Sequence, residues 1–225
     1  MIAVAIDGPS GAGKSTIART AAARLGYLYI DTGALYRSIG LYALRKGADT
    51  RDAAQVGALL PEIHLSLRHE NGVQQVYLGE ENVSEEIRRP AVSMAASHVS
   101  AHPAVRQFLL ELQRSIAREN NVIMDGRDIG TVVLPDAQVK IFLTASARER
   151  ARRRLLELQQ KGEPVTFEEV LRDIEQRDYN DTHRAAAPLR QAEDAVLADT
   201  SDLDLEGSIA LVERIIREKG QEGTK

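Results

Sequence analysis

The sequence contains no cysteine, which excludes disulfides, thiol nucleophiles and cysteine-based zinc sites. It has no tryptophan, and aromatic residues make up 4% of it, too few for a stacking platform along single-stranded nucleic acid. Nor is there a basic surplus. The 29 Lys and Arg stand against 33 Asp and Glu, a net charge of −4, so no global positive field draws in nucleic acid or an anionic membrane. No apolar run approaches the ~20 residues that span a bilayer. An apolar strand opens at Ile2, with no secretory leader before it. Neither a repeat nor a low-complexity tract interrupts the 225 residues, enough for one large or two small domains. These absences predict a soluble, cytoplasmic protein.

What is present begins with Gly8-Pro9-Ser10-Gly11-Ala12-Gly13-Lys14-Ser15, followed by Thr16. It fits the phosphate-loop pattern G-x-x-x-x-G-K-[ST]. The flanks agree: Ile2 to Asp7 reads as a buried strand, and Ser15 to Leu25, free of Gly and Pro, as a helix. Gly8, Gly11 and Gly13 permit positive φ and a close approach of backbone to an anion. The loop amides and the start of the helix then point N–H groups at phosphate oxygens. Lys14 supplies charge to the outer phosphates, and the Ser15 hydroxyl is a ligand for Mg²⁺. The bland alternative is a glycine-rich turn that binds nothing.

Further along, Tyr27-Leu28-Tyr29-Ile30 predicts a second strand after Gly26, running into Asp31-Thr32-Gly33-Ala34-Leu35-Tyr36-Arg37. Asp31 or Thr32 caps the next helix, which stops at Gly47. Arg37 lies one turn into it, as a site residue or on a solvated face. Strand, helix, strand, helix predicts a parallel α/β sheet, with ligands at the carboxyl ends of the strands, where Asp7 and Asp31 stand. After a short helix over 49–60 the pattern alternates at Ile63 to Leu67. Asn71-Gly72 then signals a hairpin, Val73 to Leu78 a strand, and Glu80 to Val83 a third. Ile87 to Ser100 and Pro103 to Glu119 predict two helices. Asn121 to Gly126 has the form of a buried strand presenting a carboxylate, Asp125, to Mg²⁺ beside the phosphates, and Arg127 and Asp128 extend it. Val139 to Leu143 and Ala195 to Ala198 complete five parallel strands, and Ser208 to Lys219 is a closing helix ending at Gly220.

Between the last two strands, Arg148, Arg150, Arg152, Arg153 and Arg154 crowd one helix. They are a solvated face or a phosphate clamp, for which the planar, permanently charged guanidinium is suited. Lys161-Gly162 is a hinge, and Thr166-Phe167-Glu168-Glu169 a capping box for a helix carrying Arg177, Asp178 and Asp181, with Arg184 beyond. Two such segments read as a mobile lid. There is no Asn-Lys-x-Asp guanine reader and no Asp-x-x-Gly switch, which argues against a GTPase. Many site arginines with no obvious catalytic His or Ser fit an acceptor that is itself a phosphate: it needs cations, not a general base.

From Ile2 to about Ile216 the chain resembles the bacterial cytidylate kinases. The likeness rests on Ile6 to Lys14, Asp31 to Arg37, Asp125-Gly126-Arg127-Asp128-Ile129-Gly130-Thr131, and Arg177 to Pro188. It implies transfer of the γ-phosphoryl of ATP to CMP or dCMP with Mg²⁺, and a five-stranded parallel P-loop core over 1–60 and 97–225. It also implies a lid at about 148–186, an antiparallel monophosphate-binding insertion at 61–96, and a monomer. Donor binding would use Gly8 to Thr16 and Arg154, with Ser15 and Asp125 at the metal. Thr32, Arg37 and Arg127 would face the acceptor phosphate, and Ser97, Arg106 and Asp128 the cytosine. Arg177 and Asp181 would contact sugar and phosphate, and Arg184 a phosphate. Lys14, Arg127 and Arg184 would carry transition-state charge. Two departures stand out: Thr32 replaces a frequent Ser, and Tyr179 to His183 is less basic than in relatives. Two rivals are a small-metabolite kinase such as shikimate kinase, disfavoured by Gly33 and the insertion, and a regulatory P-loop ATPase.

Overall fold

The computed structural model describes residues 1–70, 73–160 and 162–222. The Asn71-Gly72 turn, Lys161 of the expected hinge and residues 223–225 lie outside them. The strands are β1 Ala3–Asp7, β2 Leu28–Asp31, β3 Leu65–Glu70, β4 Val73–Leu78, β5 Glu81–Asn82, β6 Val122–Gly126, β7 Val139–Thr144 and β8 Val196–Asp199. The helices are α1 Lys14–Leu25, α2 Thr32–Arg45, α3 Ala53–Leu59, α4 Pro90–Val99, α5 Pro103–Glu119, α6 Ala147–Gln160, α7 Phe167–His183 and α8 Leu205–Glu222. As expected, five strands form a parallel sheet, ordered β2-β6-β1-β7-β8, and β3-β4-β5 form a small antiparallel one.

The chain divides into two compact units, Met1–Tyr29 with Asn120–Lys225, and Ile30–Glu119. In the first, α1 and α8 cover the sheet through Val4, Ile6, Ile17, Ile123, Ile141 and Val212. β6 is buried at all five positions, as befits a strand covered on both faces. Its register with β1 places Asp125 beside Ile6 and Gly126 beside Asp7, so both strands end at one edge. The second unit contains residues 61–96 together with α2, α3 and α5. Leu35 and Ile39 of α2 pack with Val99 of α4 and Leu109 of α5, while Val76 of β4 packs with Leu41 and Val92. The antiparallel strands therefore share one core with the helices on either side of them in sequence.

Local differences have local causes. Arg89 is extended (φ −63°, ψ 144°) because Pro90 follows it, so Glu86–Arg88 is a separate 3₁₀ turn and α4 begins at Pro90. The last helix begins three residues earlier than expected, where the Asp204 carboxylate accepts from Gly207 N at 2.7 Å. It also runs through Gly220, which has no left-handed φ to stop it.

Candidate active site

The phosphate loop of the first unit is held open by backbone sterics. Gly8, Gly11 and Gly13 take φ of 153°, 75° and 81°. A Cβ on Gly8 would lie 1.9 Å from the Leu143 carbonyl oxygen, so no larger residue fits there. Gly13 caps α1 with its left-handed turn, leaving Lys14 as the first helical residue. Lys14 is buried, and its Nζ donates to the Pro9 carbonyl at 2.7 Å. Burial, and then the charge of Arg127, push its pKa down to about 7. Ser15 and Thr16 follow on exposed positions of the first helical turn.

Asp125, at the end of β6, receives two hydroxyls. Ser15 Oγ donates to its Oδ2 at 2.9 Å and Tyr29 Oη to its Oδ1 at 2.8 Å. A hydroxyl and a carboxylate so joined are hard oxygen donors suited to Mg²⁺. No group of three or more His, Cys, Asp or Glu able to hold a metal occurs among the described residues.

The next residues meet the end of α7. Arg127 Nε donates to Asp181 Oδ2 at 2.7 Å. Arg184 donates through Nε to the Ala187 carbonyl at 2.7 Å, and its guanidinium lies 3.5 Å from Asp128 Oδ1 and 4.0 Å from Asp181 Oδ1. Burial works against the charge on Asp181, but Arg127, then Arg184 and Arg177, hold its carboxyl below the usual range. Burial likewise opposes the charge of Arg127, and Asp181, then Asp125 and Asp178, together more than offset it. Ala187 has a left-handed φ of 48°, the single non-glycine positive value among the described residues. The turn it makes brings its carbonyl back to Arg184.

The arginine-rich helix divides its labour. Arg150 is buried and donates to three oxygens: the Ala145 carbonyl at 2.9 Å, the Ser10 carbonyl of the phosphate loop at 2.7 Å and Asp178 Oδ2 at 2.6 Å. Arg153 is tied to Glu149 and to the Thr200 carbonyl. Arg152 and Arg154 point outward, Arg154 toward Glu157 at 2.9 Å. So the site network of this unit joins Lys14, Ser15, Asp125, Arg127, Asp128, Asp181 and Arg184, with Arg177 acting on Asp181, while Arg154 stands apart from these contacts. Sequence reasoning did not single out Tyr29; it placed Asp7 at the ligand edge of the sheet and Arg150 among the clustered arginines without giving either a specific contact. Tyr29 carried a readable signal, since it alternates with Asp31 on one face of a strand.

In the second unit, Thr32 is buried at the start of α2. The Asp31 side chain caps this helix by accepting from Ala34 N, and Arg37 Nη2 donates to Asp31 Oδ2 at 2.6 Å. Gly33 leaves room for that guanidinium, since a Cβ there would lie 3.0 Å from Arg37 Nη1. Arg37 Nε is buried with no hydrogen-bond partner. Arg106 of α5 lies over the Tyr36 ring and donates to the Ser100 carbonyl at 3.2 Å, and Ser100 Oγ donates to the Ser97 carbonyl. Thr32 and Arg37 are thus one turn apart, and Ser97 and Arg106 are linked through Ser100.

The profile of the family described as cytidylate kinase matches residues 4–219. The cytidylate kinase of Caldicellulosiruptor saccharolyticus is 50% identical over 205 residues, 91% of each chain. That of Geobacter sp. (strain M21) is 47% identical over 224 residues, 100% of this chain and 96% of its own. Among solved structures, an uncharacterized protein from Eubacterium ventriosum matches with a TM-score of 0.54 at 12% identity, over 96% of this chain and 99% of that one, a likeness of fold alone. This chain belongs to the cytidylate kinase family.

Proposed function

We propose that this chain is a cytidylate kinase, transferring the γ-phosphoryl group of ATP to CMP or dCMP and releasing ADP with CDP or dCDP. The observation that carries the reading is the cationic network in one compact unit, where Lys14, Arg127 and Arg184 gather beside the phosphate loop and the Ser15–Asp125 pair. Phosphoryl transfer between two anions requires positioning and spread positive charge rather than a base, and these residues offer that.

The roles follow from the chemistry of each group. Gly8 to Thr16 cradle the donor phosphates, and Arg154 reaches the donor. Lys14, depleted of charge by burial, regains it when a polyphosphate arrives. Thr32, Arg37 and Arg127 take the acceptor phosphate, and the orphan Nε of Arg37 is a donor an incoming anion would satisfy. Ser97, Arg106 and Asp128 face the cytosine, where a carboxylate accepts from the N4 amino group that uracil lacks. Arg177 and Asp181 contact the sugar and its phosphate, and Arg184 completes the charge on the transferring group. Ser15 and Asp125 would hold Mg²⁺, whose charge would offset that of the phosphates. The residues at 61–96 form a monophosphate-binding segment, those at about 148–186 a closing lid, and the protein acts as a cytoplasmic monomer.

An ADP-release assay with ATP, Mg²⁺ and a panel of acceptors tests this. Turnover is expected with CMP and dCMP, and little with AMP, GMP or shikimate. ADP release that ignores the acceptor would overturn the reading.

A further inference from the structure

Asp7 has no role in the chemistry above, yet its surroundings are unusual for a carboxylate. It is the last residue of β1, immediately before Gly8 of the phosphate loop, and it is 5% exposed. Its Oδ1 accepts from the amide of Ile129 at 2.8 Å and its Oδ2 from the amide of Gly130 at 2.7 Å. Those consecutive amides open the single wide helical turn Ile129–Val133, whose first carbonyl comes from Asp128: Val132 and Val133 N donate to Asp128 O. Asp128 itself has φ −148° and ψ 27°, outside the regular regions, and its side chain makes no capping contact with the turn. Nothing in that turn's own sequence, Ile-Gly-Thr-Val-Val, dictates such a shape. A Cβ at Gly130 would meet Lys140 Cδ at 3.2 Å and Asp7 Oδ2 at 3.4 Å, so the close seat of this turn on the carboxylate depends on Gly130 as well.

We propose that Asp7 is a positioning residue for acceptor choice, its two oxygens clamping the Ile129 and Gly130 amides so that Asp128 is held in the orientation that reads the acceptor base. The proposal rests on the assignment of Asp128 to cytosine made above. The clamp joins the strand that carries the donor loop to the segment that carries Arg127 and Asp128. It thereby fixes the acceptor-reading carboxylate relative to the strand that leads into the phosphate loop. Keeping a charge there is costly: burial raises the Asp7 pKa to about 6 against the help of both amides, with Asp128 raising it further and Lys14 lowering it. A carboxylate retained against that cost does something a neutral side chain would not. Asn offers one acceptor to two amides and turns an N–H toward the second, so it releases one edge of the turn. Ala releases both.

The experiment measures kcat/KM for CMP and for UMP, with KM for ATP, in wild type, Asp7→Asn, Asp7→Ala and Asp128→Asn. The expected result is a CMP-over-UMP preference about tenfold lower in Asp7→Asn and lower still in Asp7→Ala, with KM for ATP within about twofold of wild type. Asp128→Asn is expected to lower the same preference. If Asp128→Asn lowers it while Asp7→Asn weakens CMP and UMP equally, the inference is overturned and the base-reading role stands. If Asp128→Asn leaves the preference unmoved, that role falls and the inference falls with it. Should the Asp7 variants not fold, the wild-type amide resonances of Ile129 and Gly130 decide. The clamp predicts that both follow one carboxyl titration, raised above the ordinary carboxylate range, and amides that titrate with different midpoints, or that do not respond to pH at all, overturn it. Lys14 and Asp128 act on the same carboxyl, and Lys140 packs on Gly130, so a shared midpoint at both amides is the required signature.

Discussion

The glycine loop and the α6–α7 pair both belong to the first unit, and both are candidates to touch the donor, yet they are held by different means. The loop sits at the end of a strand whose Val4 and Ile6 are fully buried, and its helix adds Ile17, Ala18 and Ala21 to the same cluster. Its shape is a matter of backbone sterics at three glycines. The helix pair shares a much smaller cluster, Ala151, Val170 and Ile174. Its tie to the loop runs through one buried guanidinium, Arg150, on the Ser10 carbonyl. The difference teaches where motion is cheap. A segment with little buried apolar area, held mainly by polar ties such as Arg150–Ser10, Arg127–Asp181 and Arg153–Thr200, opens locally at lower free energy than the sheet it rests on. A lid needs that property, and a phosphate cradle needs its opposite.

The loop breaks most severely at Gly8. Gly8→Ala places a methyl group 1.9 Å from the Leu143 carbonyl at a φ of 153°, which neither β1 nor β7 can give way to without losing their parallel pairing. Loss of more than about 4 kcal/mol is expected, the range of severe backbone conflict in a core. Urea denaturation at fixed protein concentration measures it, and a variant of near-native stability would show that the cradle's geometry is not set as described. The helix pair breaks at Arg150. Arg150→Met strands the Asp178 carboxylate and two backbone carbonyls, at a cost of about 3 kcal/mol. The comparison sharpens in hydrogen exchange: amides of α6 and α7 should exchange faster, while those of β1 and β6 keep their protection. Equal acceleration everywhere would mean that the two regions form one cooperative unit.

A third probe lies beneath the loop. Because burial pushes the Asp7 pKa up to about 6, above the ordinary carboxylate value of 3.8, folding favours its neutral form. The stability this contributes is full below about pH 4 and is lost as pH rises through 6. Asn cannot lose it. The stability of Asp7→Asn relative to wild type should therefore increase by roughly 2 kcal/mol between pH 4 and pH 7, at 1.36 kcal/mol per pKa unit with part of the change already spent at pH 4. Any constant cost of the substitution cancels in that difference. A pH-independent gap would place Asp7 in contact with water rather than in the buried clamp.

These contrasts also mark what could be read from residues alone. The loop, its flanking strand and helix, and the five-strand order of appearance were legible because they rest on local sterics and periodicity, as at Gly13 and β6. The capping box of α7 was legible for the same reason, and Thr166 and Glu169 do reciprocate. What stayed hidden depends on partners distant in sequence. Tyr29 reaches Asp125 across 96 residues, Asp7 reaches Ile129 across 122, and Arg150 reaches Ser10 across 140. No spacing rule connects such pairs. The packing of the second unit was hidden likewise, since α2, α4, α5 and β4 bring together side chains from Leu35 to Leu109.

The smallest effect is the most discriminating between the two ways of holding a charge. Five arginines crowd one stretch of α6, but only Arg150 is buried among the hydrogen-bonded ones, while Arg154 is 43% exposed and pairs with Glu157 three residues on. An exposed pair of that kind contributes little, so Arg154→Gln should change stability by less than about 0.5 kcal/mol. Its consequence for the reaction is independent of that figure. If Arg154 reaches the donor when α6 and α7 close, KM for ATP should rise several-fold while KM for CMP stays put, because the residue has no acceptor-side neighbour. A variant with both constants unchanged would return Arg154 to the solvated face of its helix. The cationic charge on the donor would then come from Lys14, Arg127 and Arg184.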